Sequence, residues 1–184
     1  MQRTVKESIS RAKNYYKNHG DPVHDFSHIQ RVVNNAKLIA RHVEYQNPEL
    51  IELAAYWHDV ARTKGLEDHE EPGARMARQD LISRGFGDKT ANLVYEAIRS
   101  HRLSDRPVSL EGQIIRDADK LDFISVERWK KGLQAKQYDY LLAMLTKLEE
   151  FPATLQLPHS KQLYAERLPK FMKYYESIKH QLPS

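Results

Sequence analysis

Two adjacent residues in the 184-residue chain, His58 and Asp59, lie inside AAYWHDVA, among neighbours that are nearly all apolar. A carboxylate in such company is expensive to bury unless it is paired, hydrogen-bonded or bound to a metal ion. Adjacent helix positions point about 100° apart, so the pair forms no side-by-side clamp. It can still converge on an ion lying between the two directions. Imidazole with carboxylate is a mixed borderline and hard donor set, suited to Fe, Mn, Co, Ni or Zn. The competing reading is an internal hydrogen-bonded pair with no ion. Three further residues bear on the choice: His28 opens HIQRVV, His101 ends AIRSHR, and Asp119 lies amid apolar residues in RDADKLD. Three of the four segments bring an imidazole or carboxylate to a mostly apolar helix, as a site assembled inside a helical bundle requires.

The elements that must hold these residues read as helices. VVNNAKLIARHV places Val32, Ala36, Ile39, Ala40 and Val43 at three- and four-residue spacings, an apolar stripe. Asn47-Pro48 breaks the chain, and Pro48 suits the first turn of ELIELAAYWHDVAR, which is apolar on more than one face and ends at Gly65. A helix over about 72–83 is expected to stop at Gly85-Phe86-Gly87, with Asp88 capping KTANLVYEAIRSHR. LEGQIIRDADKLDFI follows, then helices near 125–150 and 159–180 separated by FPATLQLP. No convincing alternating strand is present. Seven glycines and eight prolines are sparse punctuation for 184 residues, which also points to an all-α fold. With 40% hydrophobic and 29% charged residues, the chain has apolar material for one sizeable core.

Composition excludes several chemistries. There is no cysteine, so disulfides, thiol nucleophiles and cysteine-based zinc sites are ruled out. No apolar run approaches the length of a membrane span, and MQRTVKESISRAKNYYK lacks the apolar stretch of a secretory signal, so a cytoplasmic protein without membrane contact is expected. The 29 basic residues exceed the 25 acidic ones by a margin that suits an anionic substrate. The excess is spread along the chain, which argues against a nucleic-acid binder.

DPVHDFSHIQRVV, AAYWHDVAR, AIRSHR and IIRDADKLD, in that order, resemble the HD-domain metal-dependent phosphohydrolase superfamily. The likeness is strongest to its small stand-alone hydrolases and extends through YLLAMLTKLEEFPATLQLPHSKQLYAERLPKFMKYYESI. It implies an HD helical bundle forming a single domain over 1–184, with a metal-site core at about 20–125 and C-terminal helices at about 125–180 packed on it. The metal ligands it implies are His28, His58, Asp59 and Asp119, the last because it follows Ala118 in an Ala-Asp-Lys-Leu run. One or two divalent ions are implied: Mn, Fe, Co, Ni or Zn, with Mg also admissible. The implied activity is hydrolysis of a phosphate ester by metal-activated hydroxide, the substrate being a nucleotide or related small phosphorylated metabolite. The alternative is a non-catalytic sensor that keeps the metal and binds a nucleotide.

Other residues take expected roles within that frame. Asp59 would handle the water's proton, and His101 is the candidate acid for the leaving oxygen. Lys120 would neutralise phosphate, against the alternative of a solvated lysine. His69 and His101 stand where related enzymes place extra histidines, for a second metal or a phosphate contact. Asp122 is expected to orient a ligand imidazole. His24 is expected behind the ligands or at a helix start, although its four-residue spacing from His28 would also suit a zinc clamp. Asp25 is a candidate helix cap, Arg31 a brace for an acidic ligand, and Arg62 a candidate pocket residue. His19, His42, His159 and His180 are expected at the surface. Tyr15-Tyr16 and Tyr174-Tyr175 are expected to pack the terminal helices. After Asp122 the chain reads FISVERWKKGL where the resembled group carries small residues, so Phe123 and Trp129 are expected to reshape the wall beside the metal.

Overall fold

The computed structural model describes residues 2–17, 21–66, 68–148 and 150–183. Among them the chain is helical, with no strand: α1 (Gln2–Tyr16), α2 (Phe26–His42), α3 (Pro48–Trp57), α4 (Glu70–Ser83), α5 (Asp88–Arg99), α6 (Leu110–Leu121), α7 (Val126–Gln134), α8 (Tyr138–Leu145), α9 (Phe151–Thr154) and α10 (Pro158–Ile178). Tighter 3-10 turns cover Val60–Lys64, Asp122–Ile124 and Lys179–Gln181. The all-α expectation holds.

α3 is the axis of the bundle. Leu50, Ile51, Leu53, Ala54, Ala55, Tyr56 and Trp57 are all buried, and α1, α2, α4, α5 and α6 pack around them. That is the structural meaning of a sequence apolar on more than one face. α2 lies against both α3 and α6, burying Ile29, Val32, Val33, Ala36, Ile39 and Ala40. Its start is set by Asp25, whose carboxylate accepts from the backbone N–H groups of Ser27 and His28. α10 crosses the outside of α6 and α2. Tyr16 is buried and Tyr15 meets Trp57 at 5.9 Å between ring centroids, while Tyr175 meets Trp129 at 5.9 Å.

Several boundaries differ from the sequence reading. The helix expected to run to Gly65 stops at Trp57, and the chain continues through His58 and Asp59 into the 3-10 turn. Gly65 then closes that turn in the left-handed region, at φ 74°. α4 begins at Glu70, two residues before the expected start. The cap of α5 is Gly87, and Asp88 is the first helical residue, its carboxylate bonded to Arg78 at 2.9 Å. The single helix expected near 125–150 is two, α7 and α8, joined by a reversal at Ala135–Lys136–Gln137 with Lys136 at φ 56°. Gly132 lets the two helices approach closely: a Cβ there would stand 2.8 Å from a Leu141 methyl, which would have to shift. FPATLQLP is no simple break, because its first four residues form α9.

Candidate metal centre

The break after Trp57 decides the geometry of the His-Asp pair. Asp59 leaves the helical conformation (φ −106°, ψ 10°), so its carboxylate swings to the same side as the His58 ring. His58 Nε2 and Asp59 Oδ2 stand 3.6 Å apart, and from α2 His28 brings its Nε2 to 3.5 Å from the same oxygen. Asp119, near the end of α6, places Oδ1 3.6 Å from His28 Nε2. The imidazoles of His28 and His58 are 5.4 Å apart between centroids, and all four residues are buried.

These separations are too long for good hydrogen bonds. Nε2 of His28 and Nε2 of His58 are both buried with no hydrogen-bond partner. Each ring is fixed from behind: His58 donates from Nδ1 to the Ala55 carbonyl at 2.8 Å, and His28 from Nδ1 to Asp122 Oδ2 at 2.7 Å. The free lone pairs therefore converge on Asp59. Two donors bound about 2.0–2.2 Å from one ion stand about 2.8–3.6 Å from each other, which is the spacing found here. The internal-pair alternative leaves the two nitrogens unsatisfied; a cation satisfies them.

At His58 and Asp59 the protonation states favour the same reading. Burial pushes His58 down to about 4, so its ring is neutral at physiological pH. Burial would push the Asp59 carboxyl up, but the surrounding histidines hold it well below the usual carboxylate range. Neutral imidazole and ionised carboxylate are the forms that bind metal.

A second donor group shares Asp59. His69, the residue preceding α4, places Nε2 2.9 Å from Asp59 Oδ1 and 3.3 Å from Nε2 of His101, which lies 3.5 Å from that oxygen. Asp59, His69 and His101 are buried and close enough to hold an ion, as are His28, His58 and Asp59. His69 thus leaves the polar stretch in which the sequence shows it. His101 donates from Nδ1 to the Ile98 carbonyl at 2.5 Å, which leaves the Nε2 lone pair facing inward.

Behind the donors lies a layer the sequence reveals only in part. Asp122 receives, besides His28, a two-pronged contact from Arg31 at 2.6 and 3.1 Å and a contact from a second guanidinium, Arg128 Nη1, at 3.1 Å. Burial would raise its carboxyl, but the bond from His28 and the two guanidinium groups hold it at about 2. Arg31 therefore braces the carboxylate behind His28, where the sequence reading had it brace a ligand. Arg128 is fully buried and also reaches His24 Nε2 at 2.9 Å and the Tyr140 hydroxyl. Sequence reading missed it, because an arginine in VERWKK looks like a solvated helix face. His24 donates from Nδ1 to Asp21 at 2.6 Å, so both its nitrogens are used and the His24–His28 clamp does not form. Burial pushes His24 down to about 4.

The donors open onto a cavity of about 700 Å³, the size range of small-molecule sites. Lys120 lines it and is buried, with Nζ 2.7 Å from Asp119 Oδ2, so the solvated-lysine alternative fails. Arg62 also faces it, with Nε 3.3 Å from Asp59 Oδ1. Phe123 forms part of the wall and stacks on Phe151 at 4.5 Å. Trp129 does not line the cavity: it is a core residue whose indole N–H bonds the Phe123 carbonyl at 2.8 Å, supporting the wall from behind. Asp117 is buried elsewhere, accepting from the backbone N–H groups of Gln156 and Leu157. Among the outlying histidines, His42 and His180 are exposed. His159 is half-buried and stacked on His42 at 3.6 Å, and His19 lies outside the described residues.

Residues 25–124 match the family model for the HD domain, more than half of the chain and the stretch that carries every donor above. The chain belongs to the HD-domain family. It is 29% identical over 147 residues to a bifunctional uridylyltransferase/uridylyl-removing enzyme of Aliivibrio fischeri, a match covering 65% of this chain and 17% of that enzyme. It is 32% identical over 107 residues to the uncharacterized protein YpgQ of Bacillus subtilis, covering 55% of this chain and 51% of YpgQ. The matches thus span about half or less of these relatives. The structure of a predicted HD superfamily hydrolase from an uncultured Thermotogales bacterium superposes with a TM-score of 0.72 at 27% identity, over 96% of this HD protein and 91% of that one. Bacillus subtilis YpgQ, solved in complex with ADP, superposes with a TM-score of 0.73 over 100% and 97% of the two chains, a likeness of fold at 22% identity.

Proposed function

We propose that this HD protein is a metal-dependent phosphohydrolase acting on a small phosphorylated substrate, a nucleotide or a related metabolite. The observation that carries the reading is the pair of buried, unpartnered Nε2 atoms of His28 and His58 facing one carboxylate. In this reading His28, His58, Asp59 and Asp119 hold one divalent ion, and His69 and His101 hold a second with Asp59 shared between the two. A divalent cation supplies Lewis acidity toward water and a phosphoryl oxygen.

The chain's own residues do the rest. Asp59 is ionised and, in this reading, takes or steers the proton of the attacking water. Lys120 and Arg62 put positive charge on the cavity wall, where it offsets charge gathering on the phosphoryl oxygens. With Nδ1 committed to the Ile98 carbonyl, His101 offers a lone pair in its neutral form, which suits cation binding better than proton donation to a leaving group. Phe123, Tyr138 and Tyr140 give the cavity aromatic surface, and Lys136 and Lys147 line it as well. Such a combination fits a ring system joined to phosphate. The ADP bound to YpgQ, a protein of the same fold, supports a nucleotide.

Elemental analysis of the purified protein, with release of phosphate from nucleotides and generic esters followed under Mn, Co, Ni, Mg and Zn, tests the proposal. Bound metal with metal-stimulated hydrolysis is expected. Nucleotide binding without turnover across that panel would instead identify a sensor.

A further inference from the structure

A second cavity, of about 890 Å³, lies behind the donors and shares no lining residue with the first. It is bounded by α2, α7 and α10, and five of its lining side chains are basic against three acidic. Three of the bases form no ion pair with a carboxylate among the described residues. Arg167 is half-buried, and its bond is to the neutral Asn35 amide oxygen at 2.8 Å. Lys130 has a contact with the Tyr174 ring at 5.9 Å, and neither it nor Lys170 forms an ion pair among the described residues. Burial of the Arg167 guanidinium disfavours its charge more than the nearby carboxylates of Asp122 and Glu166 favour it, a deficit that a bound anion would offset. Glu127 and Glu166 also line the cavity; both are exposed, and Glu166 acts on Arg167 through its field without a direct ion pair.

The cavity's walls are also the outer supports of the donor cluster. Arg31 and Asp122 both line it, and Asp122 holds His28 Nδ1. Asn35, which receives Arg167, donates to the Ala118 carbonyl at 3.0 Å, directly beside Asp119. A ligand drawing on Arg31 or Arg167 therefore acts on the residues that orient His28 and Asp119, without entering the first cavity.

We propose that this second cavity is a binding site for a small phosphate-bearing polyanion, held by Lys130, Arg167 and Lys170 and coupled to the donor cluster through Arg31 and Asp122. Two ammonium groups and a guanidinium match a di- or polyphosphate in charge and in hydrogen-bond donors. The coupling follows because Arg31 cannot give its full two-pronged contact to Asp122 and to a bound anion at once.

The test uses the 184-residue protein freed of metal by EDTA and then dialysed, with inorganic pyrophosphate as probe, so it does not depend on hydrolysis. Two quantities are read: affinity by calorimetry, and the NMR signals of the His28 ring. Wild type should bind saturably, and the Lys130→Ala/Lys170→Ala double variant about tenfold more weakly. Both lysines are exposed, so the fold is spared. The His28 signals should shift on binding in wild type, and at the same probe concentration much less in the double variant. A Lys161→Ala/Lys173→Ala control removes two exposed lysines of α10 that line neither cavity and should keep wild-type affinity. Absence of binding, or weakening by the control and not by Lys130→Ala/Lys170→Ala, would overturn the site. Binding that leaves the His28 signals in place would overturn the coupling.

Discussion

The two donor groups that share Asp59 are built differently. In the first, His28 and His58 are each clamped at Nδ1, by Asp122 and by the Ala55 carbonyl, and their Nε2 atoms stand 3.5 and 3.6 Å from Asp59 with no hydrogen-bond partner. In the second, His69 comes within 2.9 Å of Asp59 and within 3.3 Å of His101, so these residues largely satisfy each other. An ion entering the first group relieves two unsatisfied buried atoms. An ion entering the second must displace a hydrogen bond that already exists. The first group is therefore expected to bind tightly and the second more weakly, at equal ligand chemistry.

That contrast can be broken most severely at the shared carboxylate. Asp59→Ala should empty both groups and lower metal-stimulated hydrolysis by about 10²–10³-fold or more; full metal content and full turnover in this variant would refute the shared-carboxylate reading. Asp122→Asn leaves every donor in place but weakens the clamp on His28. Affinity for the tightly held ion should drop about 10–100-fold, measured by equilibrium dialysis, while the second group is unaffected. His69→Ala sharpens the comparison from the other side: metal content should fall by the weaker ion alone, with the tight site retaining its affinity. Loss of the tight ion there would mean that the two groups are one.

The smallest effect concerns His24, which sits behind the first group. Its pKa is depressed to about 4 in the folded chain, against 6.5 when unperturbed, because it is buried. Below pH 6.5 the unfolded chain therefore takes up a proton that the folded chain refuses, so stability is present above 6.5 and is lost as pH falls toward 4. In metal-free protein, His24→Gln keeps a donor and an acceptor but cannot titrate. It should remove about 1–2 kcal/mol of the stability lost between pH 6.5 and about 5, as read by urea denaturation; an unchanged pH slope would place His24 in water.

Much of the donor set was legible because it is written in short runs whose neighbours are apolar. His58-Asp59 within AAYWHDVA and Asp119 within RDADKLD stand out as polar groups that burial would penalise. His69 was harder: EDHEEPG is polar throughout, and the ring is buried only because the chain folds it back against Asp59. Arg128 gave no usable signal. A charged residue on an amphipathic helix is ordinarily solvated, and only the packing of α7 against the Asp122 turn and the start of α2 puts it against Asp122 and His24. Trp129 was assigned to the cavity wall because it is bulky and near the metal in sequence, yet helix periodicity turns it into the core against Phe171 at 5.1 Å.

The amino-acid order alone set the helical class, the centrality of α3 and the residue types available to grip a cation, because periodicity and the cost of burying charge are local properties. Tertiary structure decided which nitrogens were left without partners, how two donor groups came to share Asp59, and that Arg31 and Asp122 stand between two cavities. Those outcomes depend on where helices meet, and residues ninety positions apart, such as His28 and Asp122, have no local pattern that announces their contact.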